Sequence, residues 1–302
     1  MSVLMLQGAL EQGLIYGLVA LALYLSYRVL DVADLTTDGS FVLGCGVSAV
    51  CAQAGHPLLG LVAGFGAGML AGLVTALLHT QLEVQPILAG IITMTGLYTI
   101  NLWVMGGRAD LPLLWVDTVF TKVQVLLGQG AGALAMAALL TIGAAVLLAL
   151  FLKTRLGLAL RAAGDNRAMV RACALNPAGL VVLGLALANG CTALAGAVLA
   201  QYQQSSSLSL GTGVVVIGLA SLMLGEVLVG RGGVVRGVAA ALLGAVAYRL
   251  LMALALRASA SPANLKLISA IIVAVVIGWP ALVRKVNLQR RRAAARKGDT
   301  PC

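Results

Sequence analysis

The chain has 302 residues, 61% of them hydrophobic and 10% charged, with a net charge of +10 and a mean hydropathy of +1.02. A soluble domain carries about 25% charged residues, so there is too little polar surface here to cover a globule, and the composition places the chain in a bilayer. The positive charge does not indicate nucleic acid, because seven bases gather in the segment 284–302 (Arg284, Lys285, Arg290, Arg291, Arg292, Arg296 and Lys297) with no aromatic residue among them; such a tail is a topology signal and an attraction to anionic inner-leaflet lipid.

With ~20 apolar residues per span, the length allows about nine or ten transmembrane helices in one all-α domain over 1–302, with no folded soluble domain. The five cysteines, Cys45, Cys51, Cys173, Cys191 and Cys302, form no CxxC and no His-paired spacing, so neither a disulfide framework nor a metal site is expected. The N-terminus lacks a basic n-region and further spans follow it, which argues against a cleaved signal.

The first span covers about Gly8 to Tyr27, with Glu11 near its outer end and Arg28 after its inner end. Val29 to Ser40 then holds Asp31, Asp34, Asp38, Thr36, Thr37 and Ser40, and Gly39 onward resumes as an apolar helix to about Ala52. A polar connection leading into a Gly-rich helix is the pattern of a discontinuous helix lining a cavity; a cytoplasmic loop with an Asp-Gly turn is the alternative. In the first half, Thr36, Thr37, Asp38 and Ser40 are the candidates for a solute pathway.

His56-Pro57 opens a third span to about Leu78, whose Gly64, Gly66, Gly68 and Gly72 read as helix-packing positions. His79 has no second His or Cys spaced to help it hold a metal. The fourth span, about Pro86 to Met105, is uncharged but carries hydroxyls, with Ile91, Thr95 and Thr99 on one face and Thr93, Leu97 and Asn101 on the opposite one. Such hydroxyls bond back to their own helix or reach a solute; Thr95 and Thr99 join the pathway candidates on the second reading. Gly106 to Gly128 has balanced charges and suits an outside loop, either a solvated connection or a contact surface for a partner outside the membrane.

The fifth span, charge-free from Gln129 to Leu152, leads to Lys153–Pro177, which holds Lys153, Arg155, Arg161, Arg167 and Arg171 against a single acid, Asp165. Five bases between two apolar spans belong on the cytoplasmic side. Leu156, Leu160, Ala163, Met169 and Val170 fall on one helical face, and Asp165-Asn166 behind Gly164 reads as a cap between two short helices. The expectation is a helix–turn–helix on the inner membrane surface, or a basic loop that anchors topology only.

The sixth span runs about Gly179 to Ala200, and the polar, uncharged Gln201 to Gly213 belongs outside or in a cavity. The seventh, about Val214 to Val229, places Glu226 beside Arg231 as an expected ion pair. The eighth, about Gly237 to Leu256, contains Arg249, which either faces the pathway and attracts an anionic group or is paired within the bundle. A ninth span, about Asn264 to Val283, precedes the basic tail on the cytoplasmic side. Nine spans put the N-terminus outside; a half-helix pair at the Asp34–Ser40 break makes ten. Span, polar connection, Gly-rich span and small-residue span occur at Gly8 to Leu78 and again at Gly179 to Leu256, and a five-span offset makes these inverted repeats.

The run TRLGLALRAAGDNRAMVRACALNP resembles the cytoplasmic coupling loop of bacterial ABC-importer permeases of the branched-chain amino acid and ribose type. Gly13 to Gly44 resembles the first spans of the same family, and LTTDGSF (Leu35 to Phe41) resembles a poorly characterised subgroup linked in part to amino acid uptake. The resemblance implies a non-enzymatic permease subunit of a bacterial inner membrane, forming the path for a small polar solute, most simply an amino acid. It implies as partners two ABC ATP-binding subunits, a periplasmic solute-binding protein and a second permease copy in a homodimer or heterodimer. ATP would be bound by the partner, with no cofactor in this chain. Gly157, Leu158, Arg161, Ala162, Gly164, Asp165, Asn166, Met169 and Arg171 would then meet the ATPase. An ion-coupled secondary transporter is the alternative, and it needs ionisable groups paired in mid-span.

Overall fold

The computed structural model describes residues 3–230 and 232–258, with residues 274 and 278 besides. Contacts divide the chain into Met1–Leu250 and Leu251–Cys302, and the architecture is that of the first unit. The expected ninth span and the basic tail lie outside the described residues. Among the described residues, seven helices are long and apolar enough to cross a membrane, so the expected nine or ten are not reached there.

Helix α1 (Val3–Leu23) continues through a π-helical turn, Tyr24–Val29. After an irregular break come α2 (Thr37–Gln53), α3 (Pro57–Gln81) and α4 (Pro86–Val104). A short strand β1 (Asp110–Pro112) and a small capped helix α5 (Val119–Leu127) fill the next connector. Helix α6 (Gln129–Lys153) leads to two short helices, α7 (Arg155–Asp165) and α8 (Arg167–Ala172). The long α9 (Pro177–Gln203), strand β2 (Ser205–Ser207), a 3-10 turn (Leu208–Gly211), α10 (Val214–Val229) and α11 (Val234–Ala258) complete the order. Pro57, Pro86 and Pro177 each stand at the start of a long helix, where a missing N–H costs nothing and φ is already set.

The bundle has two distinct ends. At one, β1 and β2 pair antiparallel with Leu111 opposite Ser206, and Gln7 Nε2 donates to the Gly130 carbonyl at 2.8 Å while Tyr202 Oη donates to Glu11 Oε2 at 2.7 Å. At the other lies the α7–α8 hairpin, with Gly164 against the Val29 carbonyl. The chain therefore enters α1 at the ribbon end and leaves its π turn at the hairpin end, whereas α9 runs the opposite way.

The core is built from α2, α3 and α9 in close contact. A Cβ on Gly44 would collide with the Ala193 carbonyl and one on Gly196 with the Phe41 carbonyl, so these backbones touch in the manner of small-residue membrane interfaces. Cys45 Sγ and Ser48 Oγ add bonds at 3.1 Å to the carbonyls of Gly196 and Ala197. The same device joins α10 to α11, where Gly225 meets the Ala240 carbonyl and Gly244 the Ser221 carbonyl.

Element lengths recur. A long helix, a polar break, a helix of 17 residues and one of 25 (α2, α3) are answered by α9, a second break, a helix of 16 and one of 25 (α10, α11). The copies start from opposite ends of the bundle.

Candidate functional site

The first break, Leu30–Thr36, turns back into the bundle. Asp34, 5% exposed, sits against Asn189 at the middle of α9. Its Oδ1 accepts from Thr36 N at 2.8 Å and its Oδ2 from Asn189 Nδ2 at 2.6 Å. Asn189 Oδ1 in turn accepts from Ser40 Oγ at 2.7 Å. Thr36 Oγ1 is 2.7 Å from Thr75 Oγ1 on α3, and Thr37 Oγ1 donates to the Asp34 carbonyl at 3.2 Å. This is the satisfaction that irregular backbone at membrane depth requires. Thr36, Thr37 and Ser40, read from sequence as pathway candidates, are buried members of this network.

Asp38 is placed differently. In the first turn of α2, its carboxylate accepts from Gly213 N at 3.0 Å and Val215 N at 2.8 Å, closing the open N-terminus of α10. A carboxylate there satisfies orphan donors and the positive end of the helix dipole together. Gly213 holds φ at +83°, the left-handed geometry that lets the second break turn into α10. The two interrupted helices thus meet N-terminus to N-terminus.

Beside this junction a cavity of about 680 Å³ lies between α2, α4 and the β1–β2 ribbon, lined by Asp38, Met94, Thr95, Tyr98, Asn101, Asp110, Ser207 and Ser209 among others. Thr95 borders it with its hydroxyl donated to the Ile91 carbonyl at 2.8 Å. Thr99 is exposed on α4 and not part of the wall. Arg249 lies elsewhere: its guanidinium stacks 3.7 Å from the centre of the Tyr16 ring, and Nη1 donates to Gln12 Oε1 at 3.3 Å. That is pairing within the bundle, between α11 and α1, reinforced by the ring's negative face.

At the hairpin end, Thr154 caps α7 by accepting from Gly157 N at 3.3 Å. Asn166 caps α8 by accepting from Ala168 N and Met169 N at 3.0 and 3.1 Å, as the Asp165-Asn166 pattern predicts. Leu160, Ala163 and Val170 form the buried face, with Ala162 partly buried beside them. Leu156 and Met169, assigned by spacing to that face, point outward instead: Met169 because α8 is a separate helix with its own rotation, and Leu156 from the exposed first turn of α7; Leu158 is 53% and Met169 61% exposed. Gly157 and Gly164 are contact positions, against the Phe151 and Val29 carbonyls. Arg161 and Asp165 face a cleft shared with Tyr24, Arg28 and Glu226, and Arg167 and Arg171 a second one with His79 and Glu83.

Glu226 has a partner that the sequence did not suggest. It grips Arg28 in a two-pronged pair, Nε to Oε1 at 2.6 Å and Nη2 to Oε2 at 2.8 Å; the expected pair with Arg231 falls on a residue outside the described ones. Asn189 and Thr75 also escaped the sequence reading. Asn189 left a signal, since it is the sole amide in the apolar run from Pro177 to Ala200, and an amide there needs partners.

A family model described as branched-chain amino acid transport system / permease component matches residues 5–281. A tyrosine transport system permease protein of Clostridioides difficile (strain R20291) is 32% identical over 265 residues, which is 87% of each chain. An uncharacterized protein of Rickettsia prowazekii (strain Madrid E) is 30% identical over 271 residues, 87% of this chain and 93% of that one. Among solved structures, an ABC transporter described as of the metal-chelate type, in an inward-facing conformation, aligns with a TM-score of 0.50 at 18% identity over 93% of this chain and 85% of the other; this likeness speaks for the fold alone. The chain belongs to the branched-chain amino acid transport system permease family, as a multi-pass membrane permease component.

Proposed function

We propose that the chain is the permease of a bacterial inner-membrane ABC importer for a small polar solute, an amino acid, with the hairpin end in the cytoplasm. The observation that carries this reading is the exposed apolar pair Leu158 and Met169 on a basic helical hairpin. Apolar side chains on a charged surface outside the bilayer core are the anatomy of a protein-docking patch. Two ATP-binding subunits, which alone bind ATP, dock on Gly157–Arg171. Arg161, Asp165, Asn166 and Arg171 form the polar rim, and Gly157, Ala162 and Gly164 hold α7 against its neighbours. Closure of the ATPases moves the hairpin as a lever, and the Arg28–Glu226 pair lies where that movement reaches α10.

A second copy of the chain, or a related one, completes the translocation path, and a periplasmic binding protein delivers the solute to the ribbon end. The amino acid reading draws on the name of the Clostridioides difficile relative. Asp38 and Thr95 belong to the path wall; Thr99, exposed on α4, faces lipid or the second copy, and Arg249 serves as a strut between α11 and α1. The test is co-purification with the cognate ATP-binding subunit. Leu158→Glu with Met169→Glu removes the complex and its solute-stimulated ATPase while membrane yield is unchanged, since neither side chain is buried. Undiminished assembly in the double variant rejects the reading.

The competing class, an ion-coupled carrier, draws on Asp34, a buried carboxylate at mid-bundle with no cation within 4 Å among the described residues. It predicts uptake by the permease alone under an ion gradient.

A further inference from the structure

The two ends of the Asn101 amide have different fates. The side chain is 2% exposed; Nδ2 donates to the Gly39 carbonyl at 3.1 Å, whereas Oδ1 has no partner. A buried acceptor left without a donor is costly, and this one belongs to a residue on the wall of the 680 Å³ cavity. The rest of the wall has the same bias. Asp38 and Asp110 bring carboxylates, Ser207 and Ser209 hydroxyls and Tyr98 an aromatic ring, while no Lys, Arg or His among the described residues lines the cavity. Asp38 is engaged by the α10 amides, but Asp110 makes no ion pair among the described residues.

A wall rich in acceptors, negative and lacking cations selects a ligand that brings N–H donors and positive charge. We propose that this cavity is a subsite for the primary ammonium group of the transported solute. Asn101 Oδ1 and the Asp110 carboxylate accept its N–H bonds, and Tyr98 offers a ring face to the charge. The location favours such a role, because the cavity adjoins the junction of the two interrupted helices, and an ammonium held there would feel any movement of α2 against α10. This inference rests on the chain being a solute path, and it gives the amine of the proposed amino acid a place in that path.

The test uses the full-length permease in lipid nanodiscs, without ATPase subunits, titrated calorimetrically with tyramine and separately with 3-(4-hydroxyphenyl)propionate, which has the same ring and a carboxylate in place of the amine. Tyramine is expected to bind and the acid not. Asp110→Asn and Asn101→Leu are each expected to weaken tyramine at least about tenfold, the scale of one lost charge-assisted hydrogen bond. Asp110 is exposed, so its variant carries the test if Asn101→Leu does not fold. Absence of tyramine binding, equal binding of the acid, or an affinity unchanged in Asp110→Asn overturns the proposal. These outcomes separate from failure of the importer reading. ATP-driven uptake with amine binding indifferent to Asp110 rejects the subsite alone, whereas Asp110-dependent amine binding with nucleotide-independent uptake rejects the importer alone.

Discussion

The two breaks in the bundle are alike in place and unlike in how their polar groups are satisfied. The first, Leu30–Thr36, meets its needs from Asp34 and from neighbours in α3 and α9, and is closed off among them. The second, ahead of α10, depends on a carboxylate lent from across the bundle, Asp38 of α2, and it borders a cavity. Irregular backbone at membrane depth is tolerated only where it is bonded internally or lines a polar space. One break takes the first solution and the other the second. The first is thereby closed inside the bundle, and the second stands beside an open polar cavity, which under the proposed function is the joint where movement would reach the solute.

Substitutions can break this contrast. Asn189→Leu strands the Asp34 carboxylate and the Ser40 hydroxyl together, and by analogy with a broken buried ion pair costs about 3–5 kcal/mol; the expected result is loss of monodisperse protein in detergent. Asp38→Ala frees two amide donors of α10 for about 2 kcal/mol, which leaves a folded chain with a lowered melting temperature and no uptake. If Asp38→Ala instead resembled Asn189→Leu, the second break would be as structural as the first. Thr75→Val removes one bond from the first network and costs about 1 kcal/mol, with uptake retained. Glu226→Gln, at the partly exposed Arg28 pair, changes stability by no more than about 1 kcal/mol; a marked fall in solute-stimulated ATPase without a fall in melting temperature would place that pair in the transmission path.

Much of this plan was legible in the chain. The breaks stood out because polar residues interrupt apolar runs at Asp34–Ser40 and Gln201–Gly213, and the hairpin because five bases sit between uncharged spans. Asn166 announced its cap by residue type and place. Contacts across the fold were not legible. Arg28 and Glu226 lie 198 residues apart, and no local pattern joins them. The Thr36, Thr37 and Ser40 hydroxyls look the same in sequence whether they face a solute or Asn189. Helical periodicity assumed one rotation through Lys153–Pro177, and the Asn166 cap resets it, turning Met169 outward. Gly164 shows the same limit in reverse: a bulky residue there collides with the Val29 carbonyl and disturbs the α7 seat, so its loss of docking would not isolate the docking surface as Leu158 and Met169 do.

The central claim is that motion at the hairpin, driven by nucleotide in a partner, gates a path at the second break. Solute uptake into proteoliposomes containing the assembled transporter measures it directly. The account predicts uptake that requires hydrolysable ATP on the hairpin side and vanishes in the Leu158→Glu, Met169→Glu variant; uptake of equal rate without nucleotide, driven by an ion gradient through the permease alone, would contradict it.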